Sequence, residues 1–86
     1  MKENISAAGN TEVPAYLVLR DKGYQITVTT VKEGPEQIWS AENDLVRLHA
    51  EGPIELLGMV AMYESRGTNW RAPDDEIDDF AKKFCS

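Results

Sequence analysis

The side chains able to do chemistry are few in this chain and stand apart: one histidine, His49, one cysteine, Cys85, and an acidic run, Asp74-Asp75-Glu76-Ile77-Asp78-Asp79. A lone histidine gives a zinc ion no second imidazole, and a histidine base needs a nucleophile that the sequence does not advertise. Along a β-prone stretch His49 alternates with Leu45 and Arg47, opposite Val46, Leu48 and Ala50, so it reads as a partly exposed strand residue. Cys85 has no second cysteine to resolve a thiol intermediate. The acidic run lacks the alternating oxygens, the Gly at the sixth position and the Glu at the twelfth that a calcium loop requires. Its first three acids instead suit the opening turn of a helix, where the macrodipole stabilises each by about 0.3 to 1 kcal/mol. Asp78 and Asp79 stand four residues before Lys82 and Lys83, the favourable order for i,i+4 ion pairs. No Gly-rich phosphate loop, Gly-x-Ser-x-Gly elbow, His-Glu-x-x-His helix or Cys-x-x-Cys pair occurs. No catalytic residue, cofactor or metal site is therefore expected, and no motif is specific enough to point to a family.

What remains are residues suited to recognition. Trp70 and Arg71 are adjacent, and both types are enriched where binding energy concentrates in interfaces. Asp75 and Asp79, one turn apart on the acidic helix, could meet a basic partner. Trp39 beside Ile38 poses a further choice, because neighbouring strand residues face opposite ways and one of the two must turn from the core.

The elements that position these residues are marked by punctuation and period. Residues 1–12 are polar and aperiodic and read as a disordered tail, with a single domain from 13 to 86. Ala15 to Leu19 is an apolar, β-prone run, and after Arg20-Asp21-Lys22-Gly23 a second run, Tyr24 to Val31, alternates apolar and polar residues. The pair reads as a hairpin, with Gly23 supplying a positive φ in the turn. Lys32-Glu33-Gly34-Pro35 and Glu42-Asn43-Asp44 read as turns flanking a third strand, Glu36 to Ala41, and Leu45 to Ala50 as a fourth. Gly52-Pro53 and Gly67 then bracket a helix over 53–66, whose interior Gly58 suggests close approach of another backbone. A connection of six residues leads to a last helix over 73–84, where Ile77, Phe80, Ala81 and Phe84 form one apolar stripe. The expected fold is α+β: a four-stranded antiparallel meander followed by two helices packed on one face of the sheet.

Composition narrows the function classes. A chain of 86 residues with a net charge of −6 repels phosphate backbones and anionic membrane surfaces, so neither nucleic acid nor membrane is an expected partner. The longest apolar run, Leu56 to Tyr63, is far short of the roughly 20 residues that span a bilayer. A lone cysteine and the absence of an apolar leader fit the cytoplasm. Two functional expectations follow. The first is a non-enzymatic interaction module that binds a protein partner, a basic one suiting its acidity as in immunity or antitoxin proteins, or that self-associates. The alternative is a small-molecule-binding or enzymatic domain with a cleft between sheet and helices, using Tyr24, His49 or Tyr63.

Overall fold

A computed structural model describes residues 2–30, 34 and 36–85. The fold is α+β, in the order α1 (Glu12–Asp21), β1 (Gln25–Thr30), β2 (Gln37–Glu42), β3 (Arg47–Ala50), α2 (Pro53–Arg66) and α3 (Asp74–Phe84). The strands form an antiparallel sheet in chain order, with Ile26 opposite Ala41 and Ala41 opposite Leu48. Residues 2–11 form no helix or strand.

The first expected strand is a helix, and among the described residues the sheet has three strands instead of four. Five consecutive apolar residues, Ala15 to Leu19, carry β propensity but no alternation, and tertiary packing decides such runs. Here Ala15 and Leu19, four residues apart, are the buried pair, which is helical spacing. Pro14 falls in the first turn, where its missing N–H costs nothing. Gly23, at φ 92°, ends the helix and does not turn a hairpin. The Gly23 amide donates to the Arg20 carbonyl at 2.9 Å and the Tyr24 amide to the Leu19 carbonyl at 3.3 Å, the two bonds of a Schellman stop.

The remaining strands and helices lie close to their expected bounds. The β1–β2 connection expected at Lys32-Glu33-Gly34-Pro35 lies outside the described residues apart from Gly34. Between β2 and β3, the Asn43 side-chain oxygen accepts from the amides of Leu45 and Val46, both at 2.9 Å, which fixes the turn. Pro53 opens α2, and Gly67 at φ 76° closes it by donating to the Tyr63 carbonyl at 2.7 Å.

The core lies between one face of the sheet and the pair α1 and α2. Leu19, Leu56 and Val60 are fully buried, joined by Tyr24, Ala41, Leu48 and Ala50. Each such aliphatic side chain contributes about 1.5 to 3 kcal/mol on burial. The helices pack against each other and, through α2, on β3 and β2. A cross-link closes their C-terminal ends: Lys22 Nζ lies 2.8 Å from Glu64 Oε1, and the Tyr24 hydroxyl donates to Glu64 Oε2 at 3.4 Å. Gly58 serves no close approach, because a Cβ built there meets no neighbouring atom within 4 Å.

The last helix departs from the expected packing. α3 has no buried residue and belongs to none of the principal packing pairs, so it does not lie on the sheet. Its apolar stripe faces outward, with Ile77, Phe80 and Phe84 exposed at 52%, 59% and 73%. The helices on the sheet are thus α1 and α2.

Candidate interaction site

Pro73, in extended conformation, turns the chain from the loop into α3, and its carbonyl accepts from the amides of Glu76 at 3.0 Å and Ile77 at 3.1 Å. Asp74, Asp75 and Glu76 occupy the first turn as expected. Glu76 is also tied back to the body of the protein, because its Oε1 accepts from Arg66 Nη2, at the end of α2, at 2.9 Å. Asp79 pairs with Lys83 at 3.3 Å, one of the anticipated i,i+4 pairs.

These constraints open a cavity of about 500 Å³ between the end of α2, the loop and the start of α3, lined by Arg66, Asn69, Arg71, Pro73, Asp75 and Glu76. Two of the singled-out residues, Arg71 and Asp75, therefore share one site. Trp70 is half-buried beside it, with the Arg71 guanidinium 4.8 Å from its ring centroid, a stacking distance for a cation on an aromatic face. Asp79 lies one turn further along α3, on the side of Asp75 but beyond the cavity. Arg66, Asn69 and Glu76 were not singled out from the sequence. The signal for the Arg66 and Glu76 pair would have been their position at facing helix ends across the connection.

The chain matches no family model, no curated protein and no solved structure. Its chemistry has to be argued from its own side chains.

Of the polar groups that a cleft between sheet and helices was expected to use, His49 stands apart from the two tyrosines. Tyr24 is buried in the core, and Tyr63 packs against it from α2. His49 lies on the opposite, outer face of the sheet, where its Nδ1 and the Ser40 hydroxyl share a hydrogen bond of 2.7 Å. That outer face is mostly polar. Arg47 grips Glu42 through two bonds, Nε to Oε1 at 3.0 Å and Nη2 to Oε2 at 3.2 Å, and this hydrogen bonding holds the Glu42 carboxyl below its ordinary range. Ile38 is the member of its pair that turns outward, and Trp39 faces the helices. Burial, then the Glu64 charge, raises the Tyr24 phenol above its ordinary value. Among the described residues no three His, Cys, Asp or Glu side chains gather as metal ligands do, and no helix is long and apolar enough to cross a membrane.

A second concavity, about 370 Å³, lies between α1 and the sheet. Val13, Tyr16, Ile26, Val28, Trp39 and Pro53 line it, with Glu12 the one charged residue among those described. It was hidden from the sequence because Glu12, Val13 and Tyr16 come together on its wall only as one helix, where the sequence suggested the end of a tail and the start of a strand.

Proposed function

We propose that the chain is a small, non-enzymatic interaction module that binds a protein partner through the Trp70-Arg71 loop and the acidic side of α3. The observation that supports this most is the open cavity where Arg71 and Asp75 share a wall beside the half-buried Trp70. An aromatic ring already stacked on a guanidinium is a pre-ordered anchor, and pre-order lowers the entropy lost on binding. The net charge of −6 favours a basic partner, as in immunity or antitoxin proteins, by steering its approach. We place the protein in the cytoplasm, since its one cysteine, exposed Cys85, suits a reducing compartment.

The test is capture of the partner from native lysate by the wild-type chain and by Trp70→Ala and Asp75→Lys variants, at low and high salt. The expected result is a partner retained at low salt, released at high salt and lost from both variants. Retention that neither salt nor either variant changes would overturn the reading.

A further inference from the structure

Among the described residues, two of the exposed apolar surfaces have opposite shapes. One is the ridge of α3, where the Phe80 and Phe84 rings pack at a tilt of 49° with centroids 5.2 Å apart and Ile77 extends the line. The other is the groove between α1 and the sheet, whose wall includes Val13 and Val28, 52% and 44% exposed. We propose that these surfaces cover each other between two copies of the chain: α3 of one lies in the α1–sheet groove of the other, and a twofold axis makes the exchange reciprocal.

The geometry keeps α3 out of its own groove. Glu76, in its first turn, is tied to Arg66 at the last residue of α2, whereas the groove opens at Pro53, the first residue of α2. A helix of 14 residues separates those points by roughly 20 Å. A second copy has no such tether to its partner's α2.

The size of the contact is adequate for a reversible dimer. An aromatic side chain buries about 150 to 250 Å² when fully covered, and more than half of each phenylalanine is now exposed. Two reciprocal helix-in-groove contacts would bury on the order of 1,000 to 1,500 Å², at the lower end of specific interfaces. The dimer is therefore expected to dissociate on dilution.

Charge is arranged to permit this contact. The helix turns about 100° per residue, so Asp75 and Asp79 lie opposite the stripe and stay in water. Two chains of charge −6 still repel each other, so added salt strengthens the dimer, the opposite of its effect on a basic partner. This inference stands apart from the partner reading, because the acidic side of α3 remains free in the dimer.

The test is sedimentation equilibrium of the full chain over a concentration series at low and high salt. The expected mass rises from 9.6 kDa toward twice that value, more readily at high salt. Phe80→Glu, on the ridge, and Val28→Lys, in the groove, are each expected to lower the association constant at least about tenfold, the scale of a central contact. An equimolar mixture of the two variants dimerises again, because one ridge and one groove remain intact and can meet. Val13→Lys replaces Val28→Lys if circular dichroism shows the strand variant to be unfolded. A wild-type mass of 9.6 kDa at every concentration overturns the proposal, as does wild-type association of the groove variants or a mixture that stays monomeric. Asp75→Lys, which addresses the partner surface, is expected to leave dimerisation in place.

Discussion

Replacing Gly58 by alanine is expected to stabilise the protein, and the size of the effect follows from the local structure. Gly58 lies inside α2 with its backbone in ordinary helical conformation, so no positive φ reserves the position for glycine. Alanine is about 0.5 to 1 kcal/mol better than glycine in a helix interior, largely because glycine loses more backbone freedom on folding. The added methyl meets no neighbouring atom within 4 Å, so no clash offsets that gain. For a domain of this size 1 kcal/mol moves the thermal midpoint by about 4 to 8 °C, which sets the expected rise at about 2 to 8 °C. Urea unfolding at one fixed protein concentration is expected to show a higher midpoint with an unchanged slope. Gly23→Ala is the matched control. Its Cβ also meets nothing within 4 Å, yet its φ of 92° penalises any side chain, and it is expected to destabilise by roughly 1 kcal/mol or more. A Gly58→Ala midpoint equal to or below wild type would mean that a backbone or side chain does press on α2 there, and the packing described for that helix would be wrong.

Leu56→Ala removes a fully buried side chain and is expected to cost about 2 to 5 kcal/mol, whereas Phe80→Ala, outside the core, is expected to stay within about 0.5 kcal/mol in dilute solution. Chemical denaturation of the two variants checks both, and similar losses would show that α3 is part of the core after all. Alkaline pH is expected to weaken the fold through Glu64. Burial, then Glu64, raises the Tyr24 phenol above 10.0, and the Glu64 hydrogen bond raises the Lys22 ammonium above 10.5. In both cases the folded state favours the protonated form, so its stabilisation is complete below the unfolded value and lost as pH rises through the folded one. Unfolding free energy measured across alkaline pH is therefore expected to fall, and less steeply in Glu64→Gln; equal slopes would remove Glu64 from the account.

Much of this architecture was legible because turn chemistry brackets it. Pro53 and Gly67 mark α2 to the residue, and Gly52 and Asn43 punctuate the strands before it. α1 was not legible, because Tyr16, Leu17 and Val18 are as suited to a strand as to a helix, and it is chiefly α2, distant in the chain, that supplies the surface against which α1 buries Ala15 and Leu19. The stripe of α3 announced a helix by its period, but period says nothing about what covers the stripe. At the candidate site the adjacency of Trp70 and Arg71 was visible in the chain. The cavity was not, because it depends on Arg66 reaching Glu76 across the connection, a contact that neither residue signals alone.

The pairing of α1 with α2 also sets an order of events during synthesis. α1 leaves the ribosome before any strand exists, while the largest part of the surface it packs on belongs to a helix ending at Arg66. At about 5 to 20 residues per second, the nascent chain spends seconds with Ala15 and Leu19 uncovered. The sheet can close in that interval, since its strands pair in the sequence in which they emerge. The core cannot, and the domain becomes resistant to proteases only once α2 is clear of the exit tunnel.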